Sequence, residues 1–94
     1  MAKGLSPFTR ISLLITELNS NRVEDLGNTQ RCDLAHHAAR MIEDVEDPVH
    51  KESAKEIETG ATALLAEIRG GRFSEAENQR SQLVTSCKRL KSLL

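Results

Sequence analysis

The residues with the most chemical potential in this chain lie together, in Cys32-Asp33-Leu34-Ala35-His36-His37-Ala38-Ala39-Arg40. With Leu34, Ala38, Met41 and Val45 facing inward, helical geometry puts Cys32, His36, Ala39 and Glu43 on the outer face. His37 falls on the flank, near Asp33 and Asp44. A thiol and an imidazole four residues apart could ligate zinc or another borderline metal, with Glu43 or Cys87 completing the set. A structural zinc site wants four ligands, and the chain has no CxxC or HxxxH pair. The expectation is a solvated helix face with no metal and no cofactor; Cys32, His36 and Glu43 are the candidates should a metal bind.

Histidine phosphotransfer is a second chemistry for the same stretch. Helical bundles that carry it display one exposed His, followed by a basic residue and a small Gly. His37 has Arg40 three residues on, but Met41 stands in the Gly position. His36 has Ala39 and Arg40 at those offsets, which fits no better. Acid–base catalysis finds no focus either. Glu43, Asp44, Glu46, Asp47, Glu52, Glu56 and Glu58 read as charged helix faces, and a small packed bundle rarely offers a concave pocket. No enzyme activity is expected. His50 lies on the seam side of its helix, where a packed, hydrogen-bonded His outranks a pH switch.

The elements that hold these residues are helical throughout. Segment A opens at Ser6-Pro7, an N-cap followed by a residue pre-set for the first turn. Phe8, Ile11, Leu14, Ile15 and Leu18 then recur at helical spacing, predicting a helix over 7–20. Segment B, 29–46, carries the stripe Leu34, Ala38, Met41, Ile42 and Val45, and Asp47-Pro48 breaks it. Segment C, 48–69, places His50, Ala54, Ile57, Ala61, Leu64 and Ile68 on one seam, and Gly70-Gly71 stops it. Segment D, 75–94, opens on the capping box Ser74-Glu75-Ala76-Glu77. Its stripe runs through Ala76, Arg80, Leu83, Cys87, Leu90 and Leu94, with the Arg80 stem snorkelling.

Short connections make antiparallel neighbours, so the expected fold is all-α, an antiparallel four-helix bundle in one domain over 1–94. The alternative is a three-helix core with segment A, expected to be the shortest helix, packed across it. Aromatics are only 2% of 94 residues, so the core must come from Leu, Ile, Val and Ala. Leu5, Leu13, Val23, Leu26, Leu65 and Leu93 do not fit one seam; where several converge they would form a docking or homodimer patch. No run approaches the roughly 18 apolar residues of a membrane span. Two cysteines and no leader-like apolar run point to a cytoplasmic protein with reduced thiols.

Net charge is −1 but uneven. Residues 33–67 carry nine acidic and three basic side chains, and residues 68–94 six basic and two acidic. The two stretches can pair within a bundle, and the acidic one can steer a basic partner. The leading expectation is a non-catalytic helical protein-interaction module, an adaptor, chaperone or inhibitor-type regulator. Its partner would meet Glu43, Asp44, Glu46, Asp47, Leu13 and Leu65, or a groove between helices. The runner-up is a nucleic-acid-associated regulator using Arg72, Lys88, Arg89 and Lys91 of the basic last helix. A metal or phosphotransfer role at Cys32, His36 and His37 comes third.

Overall fold

The computed structural model describes residues 6–28, 30 and 33–94. Among them are four α-helices and one short 3-10 turn: α1 Pro7–Ser20, η1 Val23–Asp25, α2 Leu34–Asp44, α3 Pro48–Arg69 and α4 Phe73–Leu93. The cross-helix contacts set their directions. Arg10 meets Asp44 and Glu17 meets His37, so α1 and α2 are antiparallel. The Lys91 ammonium lies over the Phe8 ring, and Arg80 reaches the end of α1, so α4 runs against α1. Arg89 faces Glu56, so α4 also runs against α3. Helix α1 packs on both α2 and α4, and α3 on both α2 and α4. The arrangement is an up-down-up-down bundle, and α1 is one of its four walls rather than a strap across three.

Local chemistry explains the boundaries. The Ser6 hydroxyl accepts from the Thr9 amide and Pro7 occupies the first turn of α1. The Asp47 carboxylate accepts from the Val49 amide at the start of α3. Helix α2 is shorter than the sequence suggests, 11 residues, and is the shortest of the four. The Asp33 carboxylate accepts from the His36 amide and starts it there. Val45 leaves the helix with extended backbone, which drops its side chain into the core. Thr29, Arg31 and Cys32, placed by the sequence reading in this helix or at its start, lie outside the described residues.

The capping box at Ser74 does not form. The Gly70-Gly71 stop is a Schellman turn: Gly71, at φ +73°, donates to the Ile68 carbonyl and Arg72 donates to that of Glu67. Arg72 also serves as N-cap of α4, its carbonyl accepting from Ala76, so Ser74 already lies inside the helix. One tight turn both ends α3 and begins α4.

The core holds Ile11, Leu14, Leu18, Leu34, Met41, Val45, Ile57, Leu64, Leu83, Cys87 and Leu90, with Ala38, Ala54, Ala61 and Ala76 where backbones approach. Each fully buried Leu or Ile contributes on the order of 2 kcal/mol. Both Phe residues stay outside it, Phe8 and Phe73 being exposed. Val23 and Leu26, read from sequence as leftover apolar positions, are buried, in the segment 21–28 whose turn η1 packs against α4. No helix among the described residues is long and apolar enough to cross a membrane.

Candidate functional site

Two features of the structure are built from chemically capable side chains: a polar ladder between α1 and α2, and a groove between α3 and α4. The ladder starts from spacing. Arg10 and Glu17 are seven residues apart on α1, as are His37 and Asp44 on α2. In antiparallel register the first pair meets the second reversed. Arg10 Nε donates to Asp44 Oδ2 at 2.7 Å, and His37 Nε2 lies 3.0 Å from Glu17 Oε2. Arg10 Nη1 also reaches His37 Nδ1 at 3.2 Å and joins the two rungs.

Arginine has only donors, so Nδ1 of His37 accepts and the ring proton sits on Nε2, aimed at Glu17. Arg40 extends the chain, donating to Glu43 at 2.8 Å with Asp44 3.8 Å away. Both nitrogens of His37 are therefore engaged, by Glu17 and Arg10; its amide donates to the Asp33 carbonyl, and Arg10 links it to Asp44. The ladder aligns α1 with α2: a one-turn slip would bury Arg10 without its carboxylate, at a cost of several kcal/mol. Arg10 was not singled out from sequence, although the mirrored seven-residue spacings were a signal for it.

The groove runs along the outside of the α3–α4 hairpin and holds about 520 Å³. Gly60, Ala63, Leu83 and Ser86 form its floor; Glu52, Lys55, Glu56, Gln79 and Gln82 stand at its edges. The floor is close-set: a Cβ on Gly60 would lie 3.2 Å from Leu83 Cδ1. None of these residues was named from sequence as a binding position. Only Leu83 among them stands on a stripe read from sequence; Gly60, Ala63 and Ser86 lie beside the stripes.

The other sequence candidates fall as follows. Leu13 is exposed on α1. Leu65 is not a free surface residue: it packs half-buried against the core, with Gly27 beside it. Asp44 is likewise withdrawn from any partner face, its side chain only 11% exposed and held by Arg10. Glu43 pairs with Arg40, and Asp47 caps α3, while Glu46 is exposed. His36 is exposed and His50 half-buried.

Among the described residues no group of three or more His, Cys, Asp or Glu is placed to hold a metal; Cys32 is outside them. Cys87 lies fully buried in α4, and desolvation pushes its thiol up to about 12, so it stays protonated at neutral pH.

The basic residues of the last segment are mostly engaged within the bundle. Arg72 makes two hydrogen bonds to Glu67, at 3.0 and 3.2 Å, which raise its pKa above the ordinary arginine value. Arg89 lies 3.8 Å from Glu56, Lys91 covers Phe8, and Lys88 is exposed. Arg80 does more than snorkel. Its Nη1 donates to the Asn21 carbonyl at 2.9 Å and reaches that of Leu18 at 3.5 Å, while Nη2 pairs with Glu77. It places a cation and donors on the exposed carbonyl end of α1.

Comparison with protein-family models, with curated proteins and with solved structures finds no match to this chain.

Proposed function

We propose that the chain is a non-catalytic protein-interaction module of the cytoplasm, an adaptor, chaperone or inhibitor-type regulator, that receives a helix of a partner protein in the α3–α4 groove. The observation that supports this reading is the groove itself. Its α3 wall runs from Glu52 to Ala63, roughly 16 Å or three turns at the α-helical rise of about 1.5 Å per residue. That length suits the i, i+3, i+4, i+7 anchors of an amphipathic helix. The small floor residues allow a backbone to come close. Glu52 and Glu56 on one edge favour a ligand helix with basic residues beside its apolar stripe. Glu52 and Glu56 add to the carboxylates first given the steering role, Glu43, Asp44, Glu46 and Asp47; of these, Asp44 is withdrawn by Arg10, while Glu43 and Glu56 face Arg40 and Arg89.

The test is affinity capture from nuclease-treated lysate with three forms of the chain: the unaltered protein, Gln82→Trp, and Leu13→Glu. Gln82 is exposed, so a Trp there fills the groove without disturbing the core. The reading expects one stoichiometric protein captured by the unaltered chain and by Leu13→Glu, and lost with Gln82→Trp. Capture that survives the Trp, or depends on nucleic acid, overturns it.

A further inference from the structure

The outer face of the α3–α4 hairpin is built in layers, and two contacts fix which residues of its helices stand level. Glu56 lies 3.8 Å from Arg89, and Gly60 faces Leu83. Val49 at the start of α3 therefore comes level with Leu93 at the end of α4. Val49 falls three and seven residues before Glu52 and Glu56, and Leu93 four and seven after Arg89 and Ser86. Both continue the face of the groove toward that end of the bundle. They form its apolar layer, 71% and 51% exposed.

The next layer is charged. On α3 it holds Glu52, Lys55 and Glu56, with a net charge of −1, and on α4 it holds Arg89. Glu52 is in no ion pair among the described residues. Arg89 and Glu56 are 63% and 53% exposed, so each has room for a second partner. The third layer is one of size: Gly60 and Ala63 are small on α3, and Gln79 and Gln82 are long on α4.

Helices α3 and α4 thus carry opposite halves of one contact: acid against base and small against large, with an apolar residue on each. A two-fold axis parallel to the helices joins the halves. It lays two hairpins face to face, α3 of each over α4 of the other, antiparallel and at equal height. Leu93 of the second copy then meets Val49, its Arg89 enters between Glu52 and Glu56, and its Gln82 lies over the gap between Gly60 and Ala63. Lys55 is the one adverse neighbour of the incoming Arg89, and the two carboxylates outweigh it.

We propose that the helix received by the α3–α4 groove is α4 of a second copy, so that the chain forms a two-fold homodimer through this face. The inference rests on the groove reading and names its partner.

Sedimentation velocity of the full chain over a concentration series, up to about 1 mM, tests this. The unaltered chain should move from 10.4 kDa toward twice that mass as concentration rises, and added salt should weaken the association. Arg89→Glu sets a carboxylate against Glu52 and Glu56. Glu52→Lys with Glu56→Lys sets two ammonium groups against Arg89. Each variant alone should associate at least tenfold more weakly. Mixed in equal amounts they should recover the dimer, because acid then faces base at both contacts. Circular dichroism checks that both keep their helices. A monomer at every concentration overturns the proposal, as does a dimer indifferent to both variants, or a mixture that associates no better than its components. Capture of a different protein, lost with Gln82→Trp while the chain alone stays monomeric, overturns it too but leaves the groove reading standing.

Discussion

Arg10 Nε and Asp44 Oδ2 lie 2.7 Å apart with their side chains only 9% and 11% exposed, tying the first turn of α1 to the last turn of α2. A pair so withdrawn from water is sensitive to loss of either member. Arg10→Ala should destabilise the chain by about 3 kcal/mol, since Asp44 would keep its burial and lose its closest cation. The double variant Arg10→Met with Asp44→Leu should recover most of that loss. Urea unfolding of the three proteins checks both statements; equal losses in the single and double variants would show that the pair stabilises outright.

The ladder also makes a spectroscopic prediction. Nδ1 of His37 accepts from Arg10, so the ring should be the Nε2–H tautomer. Nitrogen-15 chemical shifts of the His37 ring report this directly. In Arg10→Met that constraint is gone and the tautomer should become mixed. A dominant Nδ1–H form in the unaltered chain would contradict the geometry.

Cys87 makes stability depend on alkaline pH. Burial raises its pKa from 9.0 to about 12 in the folded chain. The folded state therefore holds a proton that the unfolded chain releases above pH 9. The stabilisation is complete below the unfolded value and is lost as pH rises from about 9 toward about 12. The loss should run at roughly 1 kcal/mol per pH unit for this one proton. Cys87→Ala should be less stable at pH 7 and should show a shallower decline over that window. Parallel declines would refute the assignment.

The turn between α3 and α4 separates two glycines. Gly71 holds φ +73° with open space around its α-carbon, so Gly71→Ala should cost about 1 kcal/mol from backbone strain alone. At Gly70 a new methyl would meet the Arg72 guanidinium, the far end of a flexible side chain. Gly70→Ala should displace Arg72 from Glu67, an exposed pair, and cost less than Gly71→Ala. Thermal or urea unfolding ranks the two, and the reverse order would show that the Arg72–Glu67 contact outweighs the strain.

Arg80 should protect the end of α1. Arg80→Leu removes the donor to the Asn21 and Leu18 carbonyls and leaves that end without its cation. Global stability should fall by about 1 kcal/mol. Amide hydrogen exchange should speed up in the last turn of α1 and in η1 before it changes elsewhere. Unaltered exchange there would assign Arg80 to Glu77 alone.

The sequence by itself determined the helices and their inner faces. Ser6-Pro7 and Asp47-Pro48 set helix starts through side-chain acceptors and a pre-set φ, which are local interactions. The Leu14, Met41, Ile57 and Leu90 stripes follow from the helical period. The tertiary structure decided what depends on register between helices. It turned Arg10 inward to Asp44, and it drew Leu65 and Asp44 away from solvent. It also brought Gly60 to Leu83 to make the groove. The false N-cap at Ser74 belongs with these, because the Schellman turn that begins at Glu67 had already fixed where α4 starts. Caps and periods act within a few residues of chain. Pairings across helices depend on how far one helix slides along another, and that is settled only when the apolar faces and the Arg10–Asp44 and Glu17–His37 rungs are satisfied together.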